Sequence, residues 1–110
     1  MYATINITLT DEERHDILVT AIEGGINYWA DVHAYRSQGV LVADLKDAED
    51  EGAFDPVTLR AEHIQQGVDA LCAKYSALDS NVRAILNGSV DAHCADAIVQ
   101  MWLFGKITFA

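Results

Sequence analysis

The stretch "IEGGINYWADV", Ile22–Val32, joins the end of one kind of structure to the start of another. Upstream, "TDEE" supplies a helix start. Thr10 is a good N-cap, Glu13 three positions on completes a capping box, and the first-turn acids suit the helix dipole. Ile17, Leu18, Ala21 and Ile22 recur at helical spacing, so a helix is expected from Asp11 to Glu23. Gly24 then reads as a left-handed C-cap and Gly25 as a turn. The alternative is that the two glycines let the backbone approach a ligand closely.

Downstream, "INYWADVHAYR" alternates as a strand. Ile26, Tyr28, Ala30, Val32 and Ala34 form an apolar face suited to lie under helices. Asn27, Trp29, Asp31, His33 and Tyr35 form a polar, aromatic one. A strand leaving a helix cap must insert one large residue into the core, Tyr28 or Trp29, with the other aromatics left partly exposed.

Working outward, "TINITLT" (Thr4–Thr10) alternates and predicts a half-buried strand. "VLVADLK" (Val40–Lys46) forms a hairpin partner for the strand before it, across the turn "RSQG". "DAEDEG" (Asp47–Gly52) is a solvated acidic loop, and "FDPV" (Phe54–Val57) a short extended or turn segment. From Leu59 the period becomes helical, with Ile64, Val68, Leu71, Cys72 and Tyr75 on one face. A short helix capped by Asp79 or Ser80 ends at Gly88. A last helix opens at Ser89 or Asp91, has Ala95, Ile98, Val99, Trp102 and Leu103 on its apolar face, and closes at Gly105. "KITF" (Lys106–Phe109) returns to the sheet. The expected fold is one α+β domain over residues 1–110. Its element order is β-α-β-β-α-α-α-β, with helices packed on one face of a small, mainly antiparallel sheet.

The 110 residues carry a net charge of −10. Residues 1–55 hold twelve acids and three bases, a net −9, whereas residues 56–110 hold five acids and four bases, a net −1. Such a balance repels nucleic acid and anionic membrane and favours a basic partner. The chain shows no signal peptide and no membrane-length apolar run, which predicts a cytoplasmic protein. Cys72 and Cys94 form no CxxC unit and read as buried free thiols.

Catalytic and cofactor motifs are not found. His93 and Cys94 are helix neighbours whose side chains diverge, and with Cys72 and His63 they show no zinc-type spacing. No phosphate-cradling glycine motif occurs, and the acids of Asp44–Asp55 do not follow an EF-hand. The expectation is a non-enzyme with no cofactor and no metal.

Two segments, "DILVTAIEGGINYW" (Asp16–Trp29) and "DAIVQMWLFGKITF" (Asp96–Phe109), resemble a family of small proteins encoded by phages and prophages. Its members share the helix–EGG–aromatic segment and a late Q-x-x-x-F-G-x-[IV] segment, here Gln100–Ile107. The resemblance implies a mobile-element origin and a life in the cytoplasm of a bacterial host. It supplies no catalytic residues.

The favoured expectation is an acidic inhibitor of a host protein with a basic surface, in a defence or nucleic-acid-handling complex such as CRISPR or restriction machinery. Its carboxylates would stand in for nucleic-acid charge. Its contacts are expected at Glu12, Glu13, Asp16 and Glu23, and at Asp47, Glu49, Asp50 and Glu51, with Trp29 and Tyr35 as aromatic anchors. A second reading is a nucleotide-signal binder built on Gly24, Gly25, Asn27, Trp29, His33 and Tyr35. A third is a self-associating phage protein, a homodimer formed through the aromatic face or a free strand edge at residues 39–46.

Overall fold

The computed structural model describes residues 5–36, 39–44 and 57–109. It is a mixed helix–strand structure. In chain order it runs α1 (Asp11–Thr20), a π-helical turn (Ala21–Gly25), β1 (Ala30–Arg36), β2 (Gly39–Asp44), β3 (Val57–Leu59), α2 (Ala61–Lys74), α3 (Ser80–Leu86) and α4 (Ala92–Phe104). The acidic run Asp47–Gly52 lies outside the described residues.

The helix starts follow local chemistry. The Glu13 amide donates to the Thr10 hydroxyl at 3.1 Å, and the Thr10 amide donates to the Glu13 carboxylate at 2.9 Å. Asp79 caps α3 by accepting from the amides of Asn81 and Val82, and Asp91 caps α4 by accepting from that of Cys94. At the other ends Gly88 and Gly105 take positive φ, 68° and 73°, which a side chain would oppose.

α4 is the centre of the molecule. Every residue from Cys94 to Met101 is buried, so this helix is enclosed all round rather than on one stripe. α2 crosses it most closely at Gly67, beside Ile98. Ile17, Leu18 and Ala21 enter the same core from the N-terminal side, and Val40, Val42 and Leu59 enter it from β2 and β3. Both cysteines are buried and free, and burial pushes both thiols up, that of Cys94 to about 12.

The strands pair in the order β1-β2-β3, both pairs antiparallel. β2 is therefore central, paired on one side to β1 and at Val40–Val42 to β3, so the free edge expected at residues 39–46 is taken up by β3 there, while residues 45 and 46 lie outside the described residues. The outer edge of β1 is unpaired among the described residues. Its register shifts between Val32 and Tyr35, which places one extra residue in β1. Such a bulge interrupts the regular ladder that edge pairing needs.

The predicted strands at the two ends are not strands. Residues 5–10 and 107–109 belong to no ladder. Each segment is instead clipped to a helix by one glutamine amide, which supplies a donor and an acceptor as a neighbouring strand would. Gln65 of α2 accepts from the Leu9 amide at 2.8 Å and donates to the Ile7 carbonyl at 2.7 Å. Gln100 of α4 accepts from the amides of Thr108 and Phe109 at 2.7 and 2.8 Å, and donates to the Phe109 carbonyl at 3.1 Å.

Candidate functional site

The "EGGINYW" segment does not turn as expected. Gly24 is not a left-handed cap, because α1 runs on into a wider π turn that ends at Gly25. A Cβ on Gly25 would stand 2.9 Å from the Ala92 carbonyl oxygen and 3.4 Å from the Asp96 amide nitrogen. The close approach that this glycine permits is to the start of α4. A Cβ on Gly24 would meet nothing within 4 Å.

The chain then makes one more helical turn, with the amides of Trp29 and Ala30 donating to the Ile26 carbonyl at 3.1 and 2.9 Å. Alternation begins only at Ala30. Ile26, Trp29 and Ala30, three and four positions apart, share the buried side, while Asn27 and Tyr28 face outward. Trp29 is only 3% exposed, so it is the residue inserted into the core and not an exposed aromatic anchor. Its ring stacks on Phe109, with centroids 5.2 Å apart, and tilts against Phe104 at 5.6 Å.

Burying an indole requires an acceptor for its N–H. Asp96 provides it. The Trp29 Nε1–H donates to Asp96 Oδ1 at 2.6 Å, the Gln100 amide donates to the same oxygen at 2.8 Å, and the Tyr28 hydroxyl donates to Oδ2 at 2.6 Å. Asp96 and Gln100, one helical turn apart on α4, are 5% and 0% exposed. Together they tie the EGG segment, α4 and the C-terminal residues into one network. No buried side-chain nitrogen or oxygen among the described residues lacks a partner.

This network also sets the character of Tyr28. Its phenol is pushed up to about 12 by burial, then by the hydrogen bond to Asp96 and that carboxylate's charge. A group whose native pKa lies above its unfolded value of 10.0 keeps its proton longer when folded. Its stabilising contribution is complete below pH 10 and is lost as pH rises through about 12. In an ultraviolet pH titration, one of the four tyrosines should ionise near pH 12 in the native protein, and Tyr28→Phe should remove that step.

Above Asp96 the surface opens into a depression of about 270 Å³ bordered by Gly24, Gly25, Tyr28, Ala92, His93 and Asp96. It takes in the glycine pair and Tyr28 from one element and His93 and Asp96 from another. His93, Asp96 and Gln100 were not expected as site residues. The available signal was an aspartate and a glutamine four positions apart inside an otherwise apolar helical run.

Of the other expected contact residues, Glu12, Glu13, Asp16 and Glu23 are all exposed. Glu13 is committed to the capping box. Asn27 donates to the Ile22 carbonyl at 3.2 Å. His33 and Tyr35 stand in β1, beyond the segment that borders the depression. Asp47, Glu49, Asp50 and Glu51 lie outside the described residues. Among the described residues no group of three histidine, cysteine or acidic side chains could hold a metal ion, and no helix is long and apolar enough to cross a membrane. His63 stacks on Trp102 with centroids 4.2 Å apart and accepts from the Arg60 amide at 3.0 Å. Burial lowers its pKa, favouring the neutral ring that this hydrogen bond requires. No protein-family model, curated protein or solved structure matches the chain.

Proposed function

We propose that this is a small acidic protein of phage or prophage origin that binds and inhibits a host macromolecule. The target presents a basic surface and belongs to a defence or nucleic-acid-handling complex such as CRISPR or restriction machinery. The carboxylates stand in for nucleic-acid charge, and the inhibition is by occupancy, without catalysis, in the bacterial cytoplasm.

The observation that carries this reading is the outer face of α1 and its π turn. Glu12, Asp16 and Glu23 are exposed there, and none of them is in an ion pair among the described residues. The one base of this helix, Arg14, is engaged by Asp11. Spaced four and seven residues apart, the three carboxylates follow one side of the helix over roughly 16 Å of axis. Unpaired charge of one sign steers a basic partner and raises its association rate more than it adds contact energy.

The nucleotide-signal reading draws less support. Trp29 is inside, so the Gly24–Tyr35 segment offers no indole for stacking, and the carboxylate of Asp96 borders the depression and repels phosphate.

Affinity capture of the tagged protein from bacterial lysate, followed by native mass spectrometry, tests the reading. A stoichiometric protein partner is expected at about 0.05 M salt and should be lost towards 0.5 M, where screening is several-fold shorter in range. A partner held equally at both salt concentrations would contradict it.

A further inference from the structure

We propose that the depression at Gly24, Gly25, Tyr28, His93 and Asp96 is a receptor for the guanidinium group of an arginine side chain on the partner protein. This rests on the reading of a basic protein partner, and it names where one of that partner's side chains is held.

Three observations converge on a cation. Asp96 is a carboxylate 5% exposed, held by three hydrogen-bond donors and by no lysine or arginine among the described residues. Its hydrogen bonds come from neutral donors, so its negative charge is left without a counter-charge among the described residues and attracts a cation that reaches the depression. Its acceptor capacity is also unequally used. Oδ1 takes two donors, whereas Oδ2 takes only the Tyr28 hydroxyl, which leaves Oδ2 with acceptor capacity to spare. Tyr28 is 48% exposed and borders the depression together with Asp96, and an aromatic ring beside a carboxylate favours a cation through its quadrupole.

Size and shape admit an arginine. At about 270 Å³ the depression has room for the end of an arginine side chain. A planar guanidinium can stack on Tyr28 while donating to Oδ2, a combination that a compact ammonium does not make.

Nuclear magnetic resonance titration of the isolated protein tests the site without the partner. The probes are N-acetylarginine amide, its uncharged isostere N-acetylcitrulline amide, and spermidine. The Trp29 indole N–H, hydrogen-bonded to Asp96, and the His93 ring are the reporters. Arginine amide is expected to shift both saturably, with citrulline amide at least tenfold weaker. Asp96→Asn is the direct variant but disturbs the core. Gly24→Leu adds bulk at the border of the depression, where its Cβ meets nothing within 4 Å, so the fold should stay intact while the shifts weaken. No shift, equal shifts by arginine and citrulline amides, or undiminished binding to Gly24→Leu would overturn the site. Tighter binding of spermidine than of arginine amide would overturn the protein side chain as its occupant. A saturable arginine response would stand even if α1 proved to bind no basic partner.

Discussion

Gly67→Ala should destabilise the fold by about 3 kcal/mol, more than alanine at Gly24 or Gly25. On an exposed helix the same substitution would be worth about 1 kcal/mol of stabilisation from propensity. Here the new Cβ would overlap the Ile98 carbonyl oxygen and stand 2.8 Å from Ile98 Cγ2 and 3.0 Å from its carbonyl carbon. Most of these are backbone atoms of α4, enclosed on all sides, so α2 must move away and loosen the contact around Val68 and Leu71. Denaturant unfolding of three glycine variants checks the account. The destabilisation should fall in the order Gly67→Ala, Gly25→Ala, Gly24→Ala. Gly25 meets a carbonyl oxygen at 2.9 Å, whereas Gly24 meets nothing and should be neutral or slightly stabilised. A Gly67→Ala variant as stable as wild type would mean that α2 and α4 do not approach this closely.

Asp96→Ala should cost a similar amount, about 3–5 kcal/mol, for a different reason. Its removal takes the Asp96 acceptor from the buried Trp29 indole N–H, at about 1–3 kcal/mol, and leaves the Gln100 amide only its longer bonds to Tyr28 and Phe109. A cavity adds to this. The loss should appear as a fall of roughly 12 °C or more in Tm, with a change in tryptophan fluorescence. Asp96→Asn keeps one acceptor oxygen and most of the volume, so it should retain a good part of that stability. If alanine and asparagine were equally mild, the carboxylate would not be the group that organises Trp29 and the C-terminal residues.

The helices were legible because their signals are local. Thr10 with Glu13, Asp79, Asp91, Gly88 and Gly105 each act within a turn of their own position, and each does in the structure what its chemistry suggests. The strand assignments at the ends failed because alternation reports an extended chain but not its partner. Ile5–Leu9 and Ile107–Phe109 take their backbone bonds from Gln65 and Gln100, side chains remote in sequence or on the far side of a cap. The two sides of the aromatic segment were misassigned for a local reason. A turn at Ile26–Ala30 delays the period-two pattern and rotates Trp29 inward. The exposed acids of α1 could be read from their spacing alone. The depression could not, since Gly24–Tyr28 and His93–Asp96 are brought together by the crossing of two elements.

The most direct test of the acidic-inhibitor reading is the salt dependence of the dissociation constant for the captured partner. It should be measured with wild type and with the Glu12→Gln/Asp16→Asn/Glu23→Gln variant. These positions are exposed and make no ion pair among the described residues, so the fold should persist. At about 0.05 M salt the variant should bind about tenfold more weakly, chiefly through slower association, and its dependence on salt should flatten. An unchanged dissociation constant with an unchanged salt slope would contradict the account and leave the charge of α1 as a solvated surface.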